Sequence, residues 1–202
     1  MTMELRSRRE RPLATLVDKI VLWNFDLKDA MHILSGNKYL YANIVCIGIF
    51  AMKENLEGAI EELKRADHLI FVSLKYTRTV DVIKSVIERI QNAFSFAIDA
   101  MLKYYHIKQK ISVPTNPVQK VEVLKKINTD KRFHEFLDFY LMLRKILRSE
   151  YTKIKEYRRH VAMIVKLEGR TEEINIDKIY EFYDMAKEFY STAEKIVYER
   201  SE

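Results

Sequence analysis

Arg144, Arg148, Lys155 and Arg159 recur at intervals of four, seven and four residues, the spacing that sets side chains along one face of an α-helix. Lys145, Lys153 and Arg158 flank that row, Tyr151 falls inside it and His160 lies just beyond. Such a stripe holds phosphates by charge, and an aromatic ring set among the cations can stack on a base. The same residues also suit an ordinary solvated helix face, since Glu150 and Glu156 interrupt the positive charge. Arg144, Arg148, Tyr151, Lys155, Arg158 and Arg159 are the candidate residues for binding a nucleic acid or a partner.

Other chemistries lack their residues. A di-metal carboxylate site needs two carboxylate-x-x-His pairs and two further Glu residues. Only His32 has a carboxylate three positions before it, Asp29, with Asp26 three further back. No second pair exists, so no metal site is expected; a lone ion at Asp29 and His32 is the one alternative. His134 with Asp138, and Glu156 with His160, read as polar helix faces. Cys46, the single cysteine, sits in an apolar run where a thiol is inert packing, and it excludes an intramolecular disulfide. Gly36, Gly48, Gly58 and Gly169 are too scattered to build a phosphate-binding loop. No cofactor is expected.

The elements that would position the basic row are helices. In residues 79–107, Ile83, Val86, Ile87, Ile90, Phe94, Ala97, Ile98, Met101 and Tyr105 step by three or four. They make one apolar stripe on a rod of roughly 40 Å, which needs antiparallel neighbours of similar length. Leu56, Ile60, Leu63, Ile70 and Leu74 supply the first neighbour, joined through a tight link at 76–79 with Thr79 as N-cap. Pro114 marks a loop, and residues 118–127 form a short helix. Asn128, Thr129 and Asp130 stop that helix and cap the next. The pattern Phe133, Phe136, Leu137, Tyr140, Leu143, Leu147, Ile154, Val161 and Val165 predicts a helix over 131–167, ended by Gly169. A last helix begins near Asp177, capped by Asn175 or Asp177.

Residues 1–51 differ. Arg6, Arg8, Arg9 and Arg11 form a basic arm, residues 13–25 suit a helix, and residues 39–50 suit a strand or a helix. Two readings stand: an accessory arm packed on the bundle, or a native chain that begins at Met52. The expected organisation is therefore an N-terminal extension (1–51) and an all-α, up-and-down bundle of four to five main helices (52–202).

Composition agrees. Among 202 residues, 48% are hydrophobic and 32% charged, with only four Gly and three Pro, which favours long helices with short links. The net charge of +6 allows a polyanionic partner. The longest apolar run, 39–52, includes Asn43 and is too short to span a bilayer, so a soluble, cytoplasmic protein is expected.

The stretch AIEELKRADHLIFVSLKYTRTVDVIKSVIERIQNAFSFAIDAMLKYY resembles the opening hairpin of HEPN-type domains, the helical partners of minimal nucleotidyltransferases. INIDKIYEFYDMAKEFYSTAEKIV is similar to that family's closing helix. The resemblance spans about 52–197. It implies a homodimeric bundle acting on RNA or on a nucleotidyltransferase partner, as in toxin–antitoxin pairs. Active members cleave RNA with an Arg followed, after four to six residues, by a His. Here no His has that Arg; before His160 the positions hold Lys153, Ile154 and Lys155. The first reading is thus a non-catalytic domain that binds RNA or a nucleotidyltransferase-type partner through its basic helix face. The second is a metal-independent endoribonuclease in which His160 and Arg158 or Arg159 meet their counterparts across a dimer interface. The third is an interaction module that docks a protein through the aromatic-rich last helix.

Overall fold

The structure, a computed structural model, describes residues 38–109, 111–167 and 169–198, with side chains from residue 47 onward. Helix α1 (Lys38–His68) continues through a π-helical segment (Leu69–Leu74) and a closing α-turn (Lys75–Thr77). Residues 39–50 are thus helical, and α1 crosses the expected 51/52 boundary without a break. The basic arm, the expected helix at 13–25, Asp29 and His32 lie outside the described residues. Arg78 and Thr79 link α1 to helix α2 (Val80–Gln109), which runs back along it. All nine apolar residues of the stripe in 79–107 are buried, so α2 is the central rod the sequence calls for. A Cβ on Gly58 would lie 3.1 Å from Phe96 Cδ1, so the missing side chain lets the two helices approach closely there. The one buried charge among the described residues is Glu62. It accepts from Arg65 and Arg89 (3.2 Å) on either side and sits beside Asn92.

Helix α3 (Pro117–Ile127) opens with Pro at its first position and with Asn116 Oδ1 accepting from the Val118 N–H at 3.0 Å. Helix α4 (Lys131–Arg148) is capped by Asp130, whose carboxylate accepts from the Arg132 N–H. Helix α5 (Ile176–Tyr198) is capped by Asn175, which accepts from the Lys178 N–H at 2.9 Å. The core closes around Phe94 of α2. Its ring stacks on Phe189 of α5 at 4.4 Å and meets Phe139 and Tyr140 of α4 at 5.6 and 6.1 Å.

The fold departs from the all-α expectation after Arg148. The expected helix over 131–167 stops there, at Ser149 with ψ 154°. Strands β1 (Tyr151–Ile154), β2 (Ala162–Leu167) and β3 (Arg170–Asn175) follow as an antiparallel meander in the order β1-β2-β3. Tyr151 pairs with Val165 and Ile154 with Ala162; Ala162 then pairs with Asn175 and Leu167 with Arg170. The physical reason is local. Residues 161–165 are an unbroken apolar run that buries Val161, Ala162, Met163 and Val165, which a β-sheet covering a core accepts as readily as a helix does. Gly169, at φ 81°, turns the β2–β3 hairpin instead of ending a helix. The architecture is a mostly helical bundle with a three-stranded sheet.

Two phenols of α5 report on its packing, one of them through a bond to α1. Tyr183 Oη donates to Asp67 Oδ1 at 2.9 Å, and Tyr190 Oη donates to Glu194 Oε1 at 3.3 Å. Burial, and then the neighbouring carboxylates, push both phenols up to about 12. Because these folded-state values exceed the ordinary value near 10, the neutral phenols stabilise the fold below about pH 10. That contribution fades as pH climbs through about 12. In an alkaline titration followed by tyrosinate absorbance, Tyr183 and Tyr190 should ionise above the ordinary phenol range, and Tyr183→Phe should remove one late step. Ionisation of every phenol near 10 would contradict this packing.

Candidate nucleic-acid interface

The structure divides the expected basic row between two places. Arg144 is half-buried on α4, with its guanidinium 5.6 Å from the Tyr140 ring and Nη1 donating to Tyr140 Oη at 3.3 Å. Arg148, exposed in the last turn of α4, lines a groove of about 850 Å³ with Leu141, Met142, Leu167 and Arg170. Tyr151 is half-buried in β1, and Lys84 Nζ covers its ring at 5.4 Å. Lys155, Arg158, Arg159 and His160 stand exposed in the loop between β1 and β2. Arg148 and Leu167 lie at one end of β2 and Arg159 at the other, roughly 20 Å apart for a six-residue strand. The shared helical face is therefore corrected: Arg144 and Arg148 do not continue into Lys155, Arg158 and Arg159.

What the loop joins instead is the link between α1 and α2. The Tyr157 N–H donates to the Arg78 carbonyl at 2.8 Å, and the Val80 N–H at the start of α2 donates to Glu156 Oε1 at 3.2 Å. An acceptor 76 residues away in sequence thus serves the turn for which Thr79 was expected to provide the side-chain cap. Lys153 Nζ reaches Asp81 Oδ2 at 2.7 Å and Glu156 Oε1 at 3.6 Å. The hydrogen bond to Asp81 raises the Lys153 ammonium above its ordinary value. Arg78, Lys155 and Tyr157 have φ of 48°, 51° and 63°, and they are the three non-glycine residues at positive φ among those described. Three residues in a conformation disfavoured for L side chains, gathered at one junction, mark a place where surrounding contacts outweigh local preference. Glu156→Ala should cost about 1 kcal/mol in a denaturant titration, the usual worth of a helix cap. An unchanged midpoint would show that the junction does not depend on this bond.

At this junction a second groove, of about 350 Å³, runs between the π-helical segment and α5. Phe71, Lys75, Arg78, Arg159 and Tyr180 line it, together with Ile176 and buried Ile70 and Leu74. The π-helical turn leaves Phe71 51% exposed, and π-helical insertions are frequent at functional sites. Tyr76 and Tyr157, at 78% and 77%, are the most exposed large hydrophobic side chains among the described residues. Lys75, Arg78, Lys155, Arg158 and Arg159 have no carboxylate partner among the described residues. Sequence reasoning missed Lys75, Arg78, Phe71, Tyr76 and Tyr157, because they fall in and beside a connection and not on a periodic face. Of the last helix's aromatics, Phe182, Tyr183 and Phe189 are buried in the core, while Tyr180 is exposed.

The remaining candidates are structural or lack partners. His134 Nε2 lies 2.7 Å from the Asn128 carbonyl and 3.2 Å from that of Lys125, and Asp138 pairs with Lys125 at 2.5 Å. Exposed His160 follows Arg158 and Arg159 directly in the loop, and all three side chains are exposed among the described residues. Among the described residues no group of three His, Cys, Asp or Glu could hold a metal ion. Nor is any described helix long and apolar enough to cross a membrane.

Fold and surface together define a class: a helical bundle whose inserted β-meander clamps the turn of its central hairpin and gathers cations there. No family model matches this chain, and neither a curated protein nor a solved structure matches it.

Proposed function

We propose that this chain binds RNA at the junction of the α1–α2 link with the β1–β2 loop. The observation that carries the reading is the gathering of Lys75, Arg78, Lys155, Arg158 and Arg159 without carboxylate partners beside exposed Tyr76 and Tyr157. Unpaired cations bind phosphates by releasing counterions, and exposed rings stack on bases without regard to sequence. The likeness of residues 59–105 and 174–197 to HEPN-type domains favours RNA as the polyanion. The homodimer and the nucleotidyltransferase partner rest on that likeness alone. His160 belongs to this surface as a binding group, since no Arg stands at the spacing that RNA-cleaving members use.

Five phosphate contacts on a single strand give a slope of about −3.5 in log affinity against log salt. Affinity for a short unstructured RNA should then fall about a hundred-fold between 50 and 200 mM salt. Binding indifferent to salt, or no binding at low salt, would remove the proposal.

A further inference from the structure

The groove beside the π-helical segment is more selective in its lining than a strand-binding patch requires. Phe71 and Tyr180 form a ring pair along it, with centroids 5.7 Å apart and planes inclined by 48°. Lys75 and Arg78 reach it from the end of α1 and its link to α2, and Arg159 from the β1–β2 loop, and no carboxylate lines it. The bond from the Tyr157 N–H to the Arg78 carbonyl ties the loop that carries Arg159 to the link that carries Arg78. Two of the three cations are thereby held together by backbone. At about 350 Å³ the groove lies near the small end of the range for ligand sites, enough for one nucleotide and not for a run of them.

Charge decides which nucleotide. A phosphodiester inside a strand carries a single negative charge and two unbridged oxygens. A terminal phosphate monoester carries a charge of about −1.5 to −2 and three acceptor oxygens. Three cations around so small a volume answer the monoester better, and charge-assisted hydrogen bonds to it are the strong kind. We propose that this groove captures the phosphorylated end of an RNA strand, with the terminal base on Phe71 and Tyr180 and the monoester among Lys75, Arg78 and Arg159. The strand in this statement rests on the RNA reading above. The chemistry recognised is that of a nucleoside monophosphate, which a free mononucleotide shares.

The test compares short RNAs of one sequence ending in a 5′-phosphate, a 3′-phosphate or hydroxyls only, alongside guanosine 5′-monophosphate. Binding is measured by fluorescence anisotropy for the strands and by calorimetry for the mononucleotide. One phosphorylated strand should bind about ten-fold or more tightly than its hydroxyl twin. Tyr180→Ala, and separately Arg78→Gly with Arg159→Ala, should bring that ratio close to one. Glycine suits the positive φ of position 78, so the second variant removes charge without adding strain. Equal affinities for all strands, with the mononucleotide unbound, would overturn the end-capture site and leave strand binding standing. Mononucleotide binding that these variants abolish, with no strand bound, would overturn the strand and keep the groove as a nucleoside monophosphate site. A preference for phosphate that survives both variants would overturn the groove as its source.

Discussion

Replacing Phe94 by alanine should lower the unfolding free energy by about 3–5 kcal/mol, the largest single loss expected in this chain. Phe94 is 1% exposed and lies at the middle of α2, where α4 and α5 both converge. Its ring contacts Phe189, Phe139 and Tyr140, so truncation opens a void lined by three other rings that cannot all collapse into it. Against a typical total of about 5–15 kcal/mol, the loss is a large fraction of the whole. For a domain of this size it corresponds to a drop of about 6–20 °C in thermal midpoint. A midpoint within a few degrees of wild type would mean that the three helices do not meet at this ring.

Reversing two charges, Arg158→Glu with Arg159→Glu, should have the largest effect on binding. Both side chains are exposed and unpaired among the described residues, so the double variant should fold with wild-type stability. It removes two cations from a set of five and sets two carboxylates among the other three. RNA affinity at 50 mM salt should fall on the order of a hundred-fold, and the salt slope should shrink by more than one. The matched control is Arg148→Glu, at the far end of β2, which changes net charge by half as much and lies outside the junction. Equal losses per reversed charge would mean that the surface binds RNA only through its overall charge.

The bundle could be read from the sequence because its signals are periodic. The stripe on α2, Asp130 at the start of α4 and Asn175 at the start of α5 all do what their positions suggest. The meander could not be read, for reasons that are also physical. Ile154, Val161 and Val165 keep a helical interval by coincidence, and the β1–β2 loop turns on Lys155 and Tyr157 at positive φ where Gly or Asn would have announced it. The run 161–165 and the β-branched residues after Gly169 were the available hairpin signal. The same error joined Arg148 to Arg159 on one imagined face. It hid Lys75 and Arg78 as well, which matter only once the loop is seen to dock on the α1–α2 link. A bond such as Glu156 to the Val80 N–H joins residues 76 apart and leaves no trace in local sequence.

The most direct test of the binding surface is to photo-crosslink an RNA carrying 4-thiouridine to the intact chain and identify the attached residues by mass spectrometry. Cross-links at Tyr76, Tyr157 and their neighbours, lost in Arg158→Glu with Arg159→Glu, are the predicted result. Cross-links confined to α4 around Arg144 and Arg148 would contradict it.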